Sequence, residues 1–282
     1  MNKLIFFCAC LLWTINGLGQ TSSNQSEQLV TLTCTYRLIF RPDSNSANQS
    51  VEKMVLLVSK NLTEFKSYNI SVRDSLKKAA IVKGNEIGVN DPNLGQVISN
   101  MLKGPKPKFD YIVYKTLNPK KCIVYDNILL DNYKYEEDKY SFDWKLIDTT
   151  SIIAGYECQK AITNFAGRRY TAWFTRKIPI NDGPYKFSGL PGLIIKISDM
   201  TNSYNFELIG LTKPTKIFFI SLPAEPVLTT TKGAFFRAAR AARENAVNSA
   251  PQFGITFKNP EAAQQQLTER LKHANNPLEL KY

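Results

Sequence analysis

Ser188 sits in Phe187-Ser188-Gly189, where a nucleophilic hydroxyl would need a base to take its proton. His273 is the only imidazole in the chain, and it stands in a polar helix end beside Lys272. A cation near a helix C-terminus explains it without catalysis. The run is not Gly-x-Ser-x-Gly, and the segment after it reads as a strand where that elbow needs a helix. Asp182 and Asp199 could do acid–base work only if one cleft held both with separated pKa values. Asp182-Gly183 reads as a turn, and Asp199 as the end of a hairpin strand. Cys158 has only Lys160 nearby to favour a thiolate, so it reads as a disulfide partner or a buried thiol. No residue is assigned a catalytic role, and no cofactor is expected. With one histidine and unsuitable cysteine spacings, neither is a metal.

The remaining chemistry is binding. Arg168, Arg169, Arg176 and Lys177 are interleaved with Tyr170, Trp173 and Phe174 along one expected hairpin. Such interleaving suits anionic head groups, peptide carboxylates or single strands of nucleic acid. Plain alternation, aromatics inward and charges outward, produces the same pattern. The candidate binding residues are Arg168 and Trp173, together with Tyr185, Lys186 and Phe187.

These residues flank the stretch from Gly183 to Ile197 that organises the chain. Pro191-Gly192 predicts a type II turn, with Gly192 at positive φ. Leu193 to Ile197 predicts a strand buried on both faces. Gly183, Pro184, Gly189, Leu190, Pro191, Gly192, Leu193 and Ile194 form the structural motif of this stretch. It offers no acid, base or nucleophile, and so reads as a folding element that fixes the rim of a binding surface.

The elements around it read mainly as β. Leu29 to Phe40 alternates, with Val30, Leu32, Cys34, Tyr36 and Leu38 on one face. Val51–Ser59 and Leu62–Tyr68 predict a hairpin through Lys60-Asn61. Asn69 to Val82 predicts a helix capped by Ser71, and 83–108 a mobile insertion with a helical turn at Leu94–Leu102. Short strands follow from Phe109 to Leu222, with turns at Ala166-Gly167 and at Met200-Thr201-Asn202. Ala234–Val247 and Pro260–Ala274 predict two helices, the second capped by Asn259. The expected class is mainly β with α: an antiparallel, curved or half-barrel-like sheet plus C-terminal helices.

The first residues read as a secretory signal, 1–19, with Lys3 as the charged region and Leu4–Ile15 as the apolar one. A β domain over 20–222 and a helical segment over 223–282 packed on it would follow. The formal net charge of +12 falls to +11 once Lys3 is removed. A basic exported chain suits an anionic membrane surface or an acidic partner, and export removes nucleic acid. Cys34, Cys122 and Cys158 would remain in an oxidising compartment, enough for one disulfide and a spare thiol.

Gly189-Leu190-Pro191-Gly192-Leu193-Ile194 is the hexapeptide after which the GLPGLI family is named, and the chain resembles that family from about Asp148 to Leu211. Further blocks carry the resemblance: Gly155 to Ala161, Gly167-Arg168, Thr171 to Thr175, Ile178-Pro179 and Gly183 to Phe187. It extends faintly to Asn276-Pro277-Leu278-Glu279-Leu280. The resemblance implies an exported protein of a Gram-negative envelope, in the periplasm or at the outer-membrane periphery. It brings no established activity and no catalytic residues.

The leading expectation is therefore a non-catalytic envelope protein that binds a protein partner or an apolar or anionic ligand. A periplasmic hydrolase-like enzyme and a structural component of an outer-membrane assembly are the alternatives. An apolar cavity would mark a carrier, a polar cleft with convergent Asp, Ser or His an enzyme, and an aromatic patch a docking protein.

Overall fold

The computed structural model describes residues 27–87, 91, 95–97, 99, 103–138, 142–224 and 226–281. The expected signal and its cleavage site lie outside the described residues, as do 88–90, 92–94, 98 and 100–102 of the expected insertion. The chain begins with β1 (Gln28–Leu29), β2 (Leu32–Phe40), β3 (Ser50–Val58), β4 (Leu62–Ser67) and α1 (Tyr68–Ile87). Next come β5 (Ile112–Thr116), β6 (Lys121–Ile128), β7 (Asp131–Asp138), β8 (Lys145–Ile153), β9 (Tyr156–Phe165) and β10 (Arg168–Thr175). After the central stretch run β11 (Leu193–Asp199), β12 (Tyr204–Thr212), β13 (Phe219–Ile220) and β14 (Leu228–Thr230). The chain ends with α2 (Lys232–Glu244), α3 (Ala246–Ser249), a 3-10 turn (Ala250–Phe253) and α4 (Pro260–Lys272).

Twelve strands form one open sheet in the order β14-β7-β6-β5-β4-β3-β2-β12-β11-β10-β9-β8. The expected fold class holds, with one difference: β14 runs parallel to β7, so the sheet is mixed. Local sequence explains most of the hairpins. Ala154-Gly155 and Ala166-Gly167 both have positive φ at both positions, the geometry of two-residue turns that match strand twist. Among the described residues β8 ends the sheet with one side unpaired, and a bulge interrupts its register with β9 between Ile147 and Thr150.

The inner face carries the larger core. Cys34, Tyr36, Leu38, Met54, Leu56, Phe65, Val113, Val124, Tyr170, Phe174 and Phe206 all point into it. The outer face carries a smaller core of Val55, Leu57, Tyr114, Ile123 and Tyr125. A strap from Lys213 to Val227 covers that patch with Ile220, Leu222 and Val227, and β13 pairs with β1 on the way. The chain then enters β14, and α2 closes over the inner face through Phe235, which packs on Tyr133 and Tyr135.

Two helix caps separate cleanly. Asn259 caps α4 as expected, its side chain accepting from the Ala262 amide at 3.0 Å. Ser71 does not cap α1, because the helix leaves β4 directly. Ser67 Oγ accepts from the Asn69 amide at 3.1 Å instead, and Ser71 falls inside the helix. The expected apolar face of α1 is only half-buried at Val72, Leu76 and Ala80, and Ala79 is exposed.

The disulfide is corrected outright. Cys34, Cys122 and Cys158 are free and buried on β2, β6 and β9, no two of which are neighbouring strands. A bridge needs Cα atoms within about 7 Å. Burial pushes the Cys122 and Cys158 thiols up to about 11, so neither is a ready nucleophile at neutral pH.

Candidate functional site: a packed interior and an open outer face

The central stretch folds against the inner face of the sheet. Tyr185, Lys186, Phe187, Ser188 and Leu190 are all buried there, as are Leu193, Ile194 and Ile195 of the strand that follows. Phe187 meets Tyr170 at 4.7 Å and Phe165 at 5.3 Å between ring centroids. The turn differs in type from expectation. Gly192 donates to the Leu190 carbonyl at 2.8 Å, and the Leu193 amide donates to Ile178, so the bond of a type II turn does not form. A three-residue turn centred on Pro191 takes its place. Gly192 keeps a positive φ of 149°, and a Cβ there would overlap the backbone carbonyl of Thr175. Backbone-to-backbone approach, more than turn type, demands glycine.

Buried ions tie this plug to the sheet. Lys115 pairs with Asp182 and donates to the Gly183 and Tyr185 carbonyls at 2.8 Å each. Thr63 donates to the second Asp182 oxygen at 2.7 Å. Lys186 bonds Glu279 at 2.7 Å and Glu137 at 2.5 Å, and Lys232 bridges the same two carboxylates. Burial pulls the Lys186 ammonium down, but Glu279 and Glu137 outweigh it and hold the group above the ordinary lysine value. Tyr185 donates to Glu279 at 2.5 Å.

The C-terminal tail completes the same cluster. Arg168 donates to Asp199 at 3.2 Å, to Asn276 Oδ1 and the Pro277 carbonyl at 2.6 Å each, and to the Leu278 carbonyl at 3.2 Å. Tyr204 donates to the Asn276 carbonyl, and Asn276 to the Arg41 carbonyl, both at 2.7 Å. The two separated stretches Gly183–Phe187 and Asn276–Leu280 thus meet through Lys186, Tyr185 and Glu279.

The five candidate binding residues therefore divide. Arg168, Tyr185, Lys186 and Phe187 are interior, because each bonds or packs against the plug and tail. Trp173 falls in register on the other face, is half-buried, and also packs against the larger core. The basic hairpin divides the same way: Tyr170 and Phe174 point in, while Arg169, Arg176 and Lys177 are exposed. The catalytic candidates do not converge. Ser188 Oγ is buried without a hydrogen-bond partner, so no base stands within reach of it. Asp182 and Asp199 are spent in separate ion pairs, and His273 bonds Asp43 at 2.8 Å on an exposed helix end.

Strand pairing sets a cross-strand row on the outer face. It runs Ile147, Lys160, Trp173, Lys196, Glu207, Arg37, Lys53 across β8, β9, β10, β11, β12, β2 and β3. The Lys160 ammonium lies 5.9 Å from the Trp173 ring. Glu207 is held by Arg37 at 3.2 Å. Lys145, Ile162, Thr171 and Ser198 make a parallel row. All these residues are half-buried or exposed, unlike the strap-covered patch on the same face. Sequence reasoning found Trp173 but missed Lys160 and Lys196, which join it only through strand register.

Similarity to known proteins is narrow. A model for a family of unknown function (Porph_ging) matches residues 166–196. No curated protein matches the chain. The solved structure of PNGF-II in space group C2 is 12% identical, with a TM-score of 0.51, over 77% of this chain and 34% of that one. The P21 crystal form gives 14% identity and a TM-score of 0.49. The first likeness shows a shared fold, and the match spans about a third of that protein's length. Among the described residues, no helix is long and apolar enough to cross a membrane, and no group of three or more His, Cys, Asp or Glu side chains could hold a metal.

Proposed function

We infer that this protein is a non-catalytic exported envelope protein of the GLPGLI type that docks an acidic partner protein on the open half of its outer sheet face. The row Lys160–Trp173–Lys196, extended by Lys145 and Lys53, carries the reading. It presents cations around an indole on a face that the strap leaves uncovered. A Trp with flanking cations gives a docking surface both apolar contact area and charge selectivity. The chain's basic excess of +12 acts in the same direction by steering an acidic partner. The interior supports a binding role over a carrier role, since the protein's own central stretch and tail cover the inner face of the sheet.

The test uses immobilised poly-glutamate as the probe. Binding should weaken with salt and fall about tenfold in Lys160→Glu/Lys196→Glu, equivalent to roughly 1.4 kcal/mol. Lys77→Glu/Lys78→Glu makes the same charge change on exposed α1 and should lose far less. Equal losses in both variants would reduce the effect to net charge and overturn the site. Crosslinking in intact envelopes, with the two variants side by side, then identifies the partner.

A further inference from the structure

The loops at one end of the sheet are basic, and the strap sets exposed apolar side chains among them. Strand register brings the β3–β4 turn, the β5–β6 turn and the ends of β10 and β12 to this end. Leu32 lies opposite Val58, Leu62 opposite Thr116, Thr33 opposite Thr212 and Leu193 opposite Thr175. Lys60, Lys120, Arg176, Lys177, Lys213 and Lys216 stand on these loops, and all are exposed. The strap starts here and presents Ile217, Phe218 and Phe219, three exposed apolar residues in succession, with Ile217 81% exposed. Phe219 lies opposite Leu29, which is also exposed, and the Phe218 carbonyl accepts from the Val30 amide at 3.1 Å. Val30 and Ile220 are buried in the outer-face core, so one side of this ribbon is anchored while the other meets solvent. The exposed carboxylates nearest this end are dispersed. Glu136 and Asp138 lie on β7, where Lys121 holds Asp138 at 2.9 Å, Glu157 lies on β9, and Glu27 precedes β1.

We propose that this end of the sheet docks on an anionic phospholipid bilayer, with Ile217, Phe218, Phe219 and Leu29 entering the boundary between head groups and acyl chains. The six cations then lie in the head-group layer. Apolar side chains bind a bilayer by reaching that boundary, and Lys and Arg beside them gain from the negative surface. Long lysine stems keep the ammonium groups among the head groups while the neighbouring rings go deeper. Charge complementarity favours lipid over a protein as the occupant. Lysine is depleted in protein interfaces, whereas here it surrounds the apolar cluster. No residue is shared with the Lys160–Trp173–Lys196 row, so this surface is independent of the docking of an acidic protein.

The full chain is mixed with vesicles of equal parts phosphatidylcholine and phosphatidylglycerol, or of phosphatidylcholine alone, and amide exchange is read across 213–219. Reading the strap itself separates its contact from any made by the apolar run Leu4–Ile15, which every variant shares. Anionic vesicles should slow exchange there by about threefold or more, with less slowing at high salt, and neutral vesicles should not. Ile217→Ser/Phe219→Ser and Lys213→Glu/Lys216→Glu change only exposed positions, so both should keep the parent's melting temperature and lose the protection. Lys77→Glu/Lys78→Glu on α1 makes the same charge change and should retain it. Protection that survives in Lys160→Glu/Lys196→Glu while poly-glutamate binding is lost would support two separate surfaces. Unchanged exchange with anionic vesicles, equal slowing by neutral ones, protection that persists in both strap variants, or an equal loss in the α1 variant would each overturn the membrane contact.

Discussion

Trp173 and Phe174 are neighbours in sequence and belong to opposite environments. Phe174 is fully buried against the plug, and Trp173 lies among lysines on the outer face. The inner face is closed by the chain itself. The central stretch, the tail and α2 fill it, and Lys115, Lys186 and Arg168 each meet an opposite charge from another segment. Among the described residues, the strap closes the outer face over β3 to β6 and leaves it open from β2 to β8. The contrast shows where selection for folding and selection for contact can act separately. A change inside should be read as stability, and a change on the open rows as binding.

Four substitutions can break or sharpen that contrast. Gly192→Val should do the greatest damage. Its side chain meets the Thr175 backbone, which cannot swing aside, and a loss of more than about 4 kcal/mol is expected. Calorimetry that finds the variant within a few degrees of the parent would show that the backbone approach is dispensable.

Lys115→Met should cost about 3–5 kcal/mol, because it strands Asp182 in the interior. The double variant Lys115→Met/Asp182→Leu should recover part of that loss. Urea melts on the two singles and the double form the cycle, and full additivity would mean that the pair is not coupled.

Asp126 offers a pH test inside the fold. Burial, helped by nearby Asp110 and opposed by Arg243, pushes its carboxyl up to about 6. A carboxyl raised above its unfolded value favours the folded protein when protonated. That contribution is complete below about pH 4 and is lost as the pH rises through about 6. Asp126→Asn should therefore gain about 2 kcal/mol over the parent at pH 8 and little at pH 4. Melting curves at the two pH values read this directly, and a gain equal at both would reject the buried carboxyl as its source.

The smallest stability effect belongs to the open face. Lys196→Glu should change the melting temperature by no more than about 0.5 kcal/mol's equivalent, yet reduce poly-glutamate binding severalfold. A large loss of stability would mean that the row is structural, and the contrast between the two faces would fail.

Much of this architecture was legible from local patterns. Alternation in Leu32–Phe40, the Ala-Gly turn at 166–167, the apolar run Leu193–Ile197 and the Asn259 cap each follow from neighbouring residues, and all appear in the structure. Residue types also weighed against a Ser–His pair, since Ser188 could draw on a single histidine. Local patterns did not reveal that Arg168, Tyr185, Lys186 and Phe187 face inward. Their charges and rings suited a surface until Glu279, Asn276 and Leu278, about 90 to 110 positions away, supplied partners. The same holds for Lys160 and Lys196, which flank Trp173 only because three strands pair in one register. Sequence by itself determined the elements, because backbone propensity and turn chemistry act over a few residues. Tertiary structure alone decided which charges are buried and which remain for a partner, because burial depends on segments brought together from across the chain.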